Sequence, residues 1–194
     1  MGQEAHFFNR RGIRLVADTA GDTAAPSVLL LHGGGQTRGS WKDTIGAIAA
    51  FGFCVYALDA RGHGQSDRAP DGDYSMDVMA DDLRDVIAQI GGSPMIVGAS
   101  MGGIIALLAA GEAPPIPVDA IVLVDVSPRV NVQGRDRIIS FMKAGLRGFD
   151  TLDEVADSVA AFNDNRRRPA GLEGLKRNLQ EVEGRYFWHW DPLF

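Results

Sequence analysis

With one cysteine, Cys54, in 194 residues, the chain has no means of forming an internal disulfide. Cys54 sits inside an apolar run and reads as a small buried side chain. No apolar run approaches the roughly 20 residues of a membrane-crossing helix. Met1-Gly2-Gln3-Glu4-Ala5-His6 contains no basic segment leading into an apolar stretch, so no secretory signal is expected and the cytoplasm is the expected compartment. Positive charge is not in excess: 19 Lys and Arg face 25 Asp and Glu, a formal net charge of -6, which argues against a nucleic-acid partner. The one basic run, Arg166-Arg167-Arg168, reads as a solvated helix end before Pro169. Histidines number four, with no H-E-x-x-H spacing, and no metal site is expected. Gly33-Gly34-Gly35 does not continue into G-x-G-x-x-G, and no acid is placed for a ribose, so no dinucleotide cofactor is expected either. Internal repeats and low-complexity tracts are also missing.

What is there is a globular composition, 45% hydrophobic and 23% charged, long enough to bury one sizeable core. Ala5 to Asn9 and Ile13 to Thr19 read as a hairpin turning at Arg10-Arg11-Gly12. Val28 to Leu31, Phe53 to Leu58, Met95 to Val97 and Ala120 to Val124 are unalternating apolar runs, the pattern of parallel strands covered on both faces. Between them lie helices. Ser40-Trp41-Lys42-Asp43 has capping-box spacing and opens a helix predicted to bury Trp41, Ile45, Ile48 and Ala49. Met76, Met79, Leu83, Val86, Ile87 and Ile90 share one helical face, with Asp81, Asp82, Arg84 and Asp85 placed mostly on the other. The alternation predicts an α/β fold, a mostly parallel sheet with helices on both faces. Beyond residue 128 strand runs disappear. Helices are predicted from Arg135 to Leu146, from Thr151 through Phe162, and over Leu172, Leu175, Leu179 and Val182.

Three loops follow three of these strands. After the first comes His32-Gly33-Gly34-Gly35, after the second Asp59-Ala60-Arg61-Gly62-His63-Gly64-Gln65-Ser66. Gly98-Ala99-Ser100-Met101-Gly102 joins the third to a helix beginning near Gly103. G-x-S-x-G is a strand-to-helix turn in which the flanking residues must be small and the serine is strained and lifted clear of the sheet. In a chain with 24 glycines this pattern alone is unspecific. Together, and in this order, the loops resemble the α/β-hydrolase family, over roughly residues 5 to 130 most clearly. The resemblance implies that Ser100 is a nucleophile forming an acyl-enzyme. It implies an oxyanion hole from the N–H groups of Met101 and Gly34, with Gly35 as second choice. His32 is implied to brace the glycine loop and His63 to shape its own loop. His189, between Trp188 and Trp190, is packing or pocket lining rather than a base, and His6 lies away from the crevice. Residues 1–128 would be the hydrolase core and residues 129–194 a helical cap.

The family's catalytic histidine and its usual acid follow the last strands, and neither has a counterpart. Asp125, after the strand next to the serine's, is either the acid or a carboxylate bracing its loop. Since a βαβ unit takes about 30 residues or more, the missing strands and cap remainder would need on the order of 60 to 100 residues. The sheet's C-terminal part is therefore expected to be absent, its last strand a bare edge. The expected function is a serine hydrolase of a small carboxylic ester or related acyl compound, with acid and base outside this chain. Cofactor-free haloperoxidases and carbon–carbon bond hydrolases share the motifs. A shortened chain that binds a small molecule without turnover is the non-enzymatic alternative. Substrate identity and oligomeric state carry no readable signal.

Overall fold

A computed structural model of the protein describes residues 3–126, 132–162 and 171–194. Strands β1 (Gln3–Phe8), β2 (Arg14–Ala20), β3 (Ser27–Leu31), β4 (Cys54–Leu58), β5 (Met95–Ala99) and β6 (Ala120–Val124) form one sheet in the order β1-β2-β4-β3-β5-β6. The β1–β2 hairpin is antiparallel and pairs antiparallel with β4, while β4, β3, β5 and β6 run parallel. Leu31 pairs with both Leu58 and Gly98, and Ala99 with Val124, so the four parallel strands end in line. Strand order reverses at β3, and a crevice lies at the carboxyl edge of the sheet, beyond the ends of β3 and β5.

The unalternating runs have the predicted cause. On one face Leu29, Leu31 and Leu58 pack with α2 (Met76–Ile90) and α3 (Met101–Gly111); on the other Val28, Leu30, Val55 and Ala57 pack with α1 (Lys42–Ala49). Burial of each such side chain is worth about 1.5–3 kcal/mol.

Four expectations need correction. The first cap is Thr37, whose hydroxyl accepts from Gly39 N–H and opens a 3-10 turn, Arg38–Trp41, ahead of α1; Ser40 caps nothing. Trp41, Ile45, Ile48 and Ala49 are only partly buried where they pack against Val28, Leu30, Val55 and Ala57. Asp82 is buried on α2, not on its outer face. One carboxylate oxygen accepts from Arg61 Nε at 2.5 Å and the other from Arg61 Nη2 at 2.6 Å and Asn9 Nδ2 at 2.5 Å. As expected of the last strand, β6 forms the sheet edge, with Val122 50% exposed and no pairing strand on its outer side among the described residues.

The fourth correction concerns the C-terminal part. Helices α4 (Val132–Ala144) and α5 (Leu152–Phe162) form as predicted, and Thr151 accepts from Glu154 N–H at 3.2 Å. The third helix does not form. A 3-10 stretch, Glu173–Asn178, leads into a hairpin of β7 (Leu179–Val182) and β8 (Arg185–Trp188). Leu172, Leu175, Leu179 and Val182 imitate helical spacing, but Glu183 and Gly184 both take positive φ, 51° and 78°, the two-residue turn that matches strand twist. Met142, Val155, Leu179, Trp188 and Trp190 form this layer's own core, with the two indoles stacked 5.0 Å apart. Main-chain bonds tie it to the β4 loop: Gly64 N–H to His189 O and Asp191 N–H to Gly62 O. The Arg166–Arg168 run, Ser127-Pro128 and the expected boundary after residue 128 lie outside the described residues.

The two neighbouring acids on α2 separate by burial, and so by their energetic weight. Asp82→Ala strands a buried guanidinium and should cost about 3–5 kcal/mol. Asp81→Ala, which breaks only an exposed pair with Arg84, should cost about 0–1 kcal/mol. Urea unfolding of both variants measures the difference; equal losses would contradict it.

Candidate active site

Ser100 links β5 to α3 with φ 46° and ψ -113°, a region that costs a non-glycine residue about 1–3 kcal/mol. The strain persists because its surroundings leave no alternative. Ser100 N–H donates to Val124 O at 3.0 Å, and Ser100 O accepts from Gly103 and Ile104 N–H at 3.0 and 3.1 Å. A Cβ on Gly98 would lie 2.6 Å from Gly103, and one on Gly102 2.6 Å from Leu31, so both positions exclude side chains. The helix therefore begins at Met101, two residues earlier than predicted, with Ser100 exposed at its N-terminus. Its hydroxyl has no hydrogen-bond partner among the described residues.

The glycine loop after β3 abuts this turn. Gly102 N–H donates to His32 O at 3.2 Å, and a Cβ on Gly33 would come 3.5 Å from that of Ser100. Two buried histidines hold the loop. His32 Nδ1 donates to Gly33 O at 2.8 Å while Nε2 accepts from Ala60 N–H at 3.0 Å. His63 Nδ1 donates to Arg61 O at 3.0 Å while Nε2 accepts from Gly35 N–H at 3.3 Å. Burial pushes His32 down to about 4; burial, with His32 as neighbour, pushes His63 down to about 3. Both stay neutral with both ring nitrogens engaged. Gly33 N–H is spent on Gln36 Oε1 at 3.1 Å. Of the loop and turn, the N–H groups of Gly34 and Met101 are left without a partner among the described residues.

These groups open on one cleft of about 820 Å³ between the strand ends and α4. Gly34, Ser100, Met101 and Asp125 all line it, so the structure brings the four sequence-derived candidates together. Asp125 is exposed and has φ 53°. The histidines are elsewhere. His6 is exposed and paired with Glu4, and His189 is half-buried beside the β4 loop, its basicity lowered by burial. None of the four lines the cleft. Sequence reasoning missed Tyr74, Lys143 and Phe194 as lining. Tyr74 donates to Asp191 Oδ2 at 2.5 Å, and Phe194 packs edge-on against His63 and Tyr74. Nothing local marks them, since they meet only through tertiary packing. No cluster of three His, Cys, Asp or Glu side chains suited to a metal occurs among the described residues. No helix among them is long and apolar enough to cross a membrane.

The alpha/beta hydrolase fold family profile matches residues 26–186. An esterase of Mycobacterium tuberculosis is 31% identical over 177 residues, covering 88% of this chain and 58% of its own length. The sn-1-specific diacylglycerol lipase of Mus musculus is 32% identical over 176 residues, covering 87% of this chain and 56% of its own. A crystal structure of an alpha/beta hydrolase from Novosphingobium aromaticivorans superposes with TM-score 0.85 at 28% identity, over 98% of this chain and 68% of that one. The chain thus spans somewhat over half the length of these curated relatives.

His32 and His63 predict an acid-sensitive fold. Their folded values lie below the unfolded 6.5, so the unfolded chain binds more protons between 6.5 and about 4 for His32 and about 3 for His63. Stability should be full above pH 6.5 and fall as pH drops through that window. Unfolding free energies at pH 7, 6 and 5 should show the slope, and His63→Gln should flatten it while lowering the whole curve. A pH-independent wild type would contradict the burial argument.

Proposed function

The chain belongs to the alpha/beta hydrolase fold family, and on that footing we propose that Ser100 is the nucleophile of a hydrolase acting on small carboxylic esters or related acyl compounds. One observation carries the reading: a strained, exposed serine and two uncommitted N–H groups, of Gly34 and Met101, open on the same cleft. Ser100 Oγ attacks the acyl carbon and its proton passes to a base. The carbonyl oxygen becomes an anion held by the two N–H groups, at no cost in reorganisation because the backbone is already fixed. Collapse of the tetrahedral intermediate expels the alcohol, which takes the proton back from the base; water then attacks the acyl-enzyme, gives its proton to the base, and the acid leaves as Ser100 Oγ is reprotonated. Gly35 is a poorer donor than Gly34 because its N–H is engaged by His63.

The base is not among this chain's four histidines on this reading. His32 and His63 have no free nitrogen, and His6 and His189 lie off the cleft. Asp125, which lines the cleft, would orient that base. The helical layer over the cleft acts as the cap that shapes the pocket. Esterase and lipase activities of the relatives favour ester substrates for this chain as well.

A fluorophosphonate probe followed by peptide mass spectrometry tests the nucleophile. The adduct should fall on Ser100 and vanish in Ser100→Ala. With p-nitrophenyl butyrate the 194-residue chain should turn over little, since loss of a triad member leaves only about 10³–10⁴-fold over water. After subtraction of imidazole's own hydrolysis of the ester, added imidazole should raise the protein-dependent rate in wild type and not in Ser100→Ala. Labelling indifferent to Ser100→Ala overturns the assignment; robust turnover without imidazole would show that one of the four histidines serves as base.

A further inference from the structure

The cleft carries a cation that ester hydrolysis does not use. α4 faces the strand ends with Ile138, Ile139 and Met142, and Leu146 follows on the 3-10 turn after it. Lys143 lines the same cleft, exposed and with no ion-pair partner among the described residues. The surrounding segment, residues 132–147, holds Arg135, Arg137, Lys143 and Arg147 against the single acid Asp136, in a chain whose net charge is -6. The helix dipole favours a lysine in the last turn, but it does not require that lysine to line a cavity. Among the described residues the other charged side chain lining it, Asp125, belongs to the strand-end side with Ser100.

These charges sort a ligand by its two ends. A molecule filling the apolar cleft displaces part of the water from the exposed Lys143 ammonium, at a cost that solvent screening keeps modest. An anionic group on the ligand offsets that cost, whereas the same group beside Asp125 meets like charge. We propose that the cleft takes an acyl compound with its carbonyl at Ser100, an apolar segment against α4, and an anionic group, carboxylate or phosphate, at Lys143. Which end is cleaved rests on the Ser100 reading above; the anion site does not.

Binding to the 194-residue Ser100→Ala chain separates the two questions, because nothing is turned over. Trp190 lines the cleft, and its fluorescence reports occupancy. Monomethyl suberate, which is anionic, should bind about threefold to fivefold more tightly than neutral dimethyl suberate of the same length, the difference expected of one solvent-screened ion pair. Lys143→Met should erase the preference, Lys143→Glu should reverse it, and Lys143→Arg should keep it. Octyl phosphate against octanoate tells which anion fits better, and a preference for either over octanol that requires Lys143 supports the site. Equal binding of the anionic and neutral suberates, or a preference untouched by Lys143→Met, overturns it. Circular dichroism and urea unfolding of the exposed-site variants check that they fold. If the fluorophosphonate adduct fails to appear on Ser100 while the Lys143-dependent preference holds, the anion site stands and the nucleophile assignment falls.

Discussion

Three backbones meet at the elbow between β5 and α3 with no room for a side chain. Gly98 lies against Gly103, and Gly102 against Leu31 at the end of β3, each within 2.6 Å of where a Cβ would sit. Because the first turn of α3 is pressed onto β3, Gly102 N–H reaches His32 O and couples the serine turn to the glycine loop. The unfavourable φ of Ser100 is a consequence of that approach. Burial of Ile105, Ala106 and Ala109 on the sheet holds the helix there against the strain. Any substitution that pushed α3 outward would displace the serine and the N–H of Met101 together.

Buried polar contacts between the β3 and β4 loops hold both loops, and they consume groups that chemistry would otherwise use. His32 spans from its own loop to Ala60, and His63 from Arg61 to Gly35, so each ties the β3 loop to the β4 loop. A histidine with one nitrogen donating and the other accepting inside the protein serves as a strut and cannot exchange protons freely. Asp59 receives Arg38 through both main chain and guanidinium, and Arg61 meets Asp82 in a two-pronged pair. The β4 loop is also where the C-terminal layer is fastened, through Gly62, Gly64 and Tyr74. One loop thus sets the position of both the floor and the roof of the cleft.

The walls of that cleft divide its chemistry. Its strand-end side offers the serine, two open N–H groups and a carboxylate, while the α4 side offers apolar side chains and, among the described residues, the cation of Lys143. Such a division selects ligands by the order of their parts as well as by their size, since a reversed ligand would set like charges together.

Features governed by backbone geometry within a few residues were legible in the sequence. The G-x-S-x-G spacing marks the elbow because only small residues survive there, and Gly12 marks the first hairpin because its φ is 79°. Val28 to Leu31 declares a strand covered on both faces. Tertiary structure alone decided the rest, wherever two distant segments had to meet. Asp82 reads as one of a row of surface acids until Arg61 and Asn9 arrive to bury it. Thr37 displaces Ser40 as cap because its hydroxyl also donates to Arg177 O, 140 residues away. The β7–β8 hairpin hid behind a helical spacing of leucines that the Glu183-Gly184 turn overrides. Lys143 carries no local sign of its place in the cleft. Periodicity and steric limits act along the chain, so a sequence displays them directly. Partnership between segments depends on how layers pack, and no single segment contains that information.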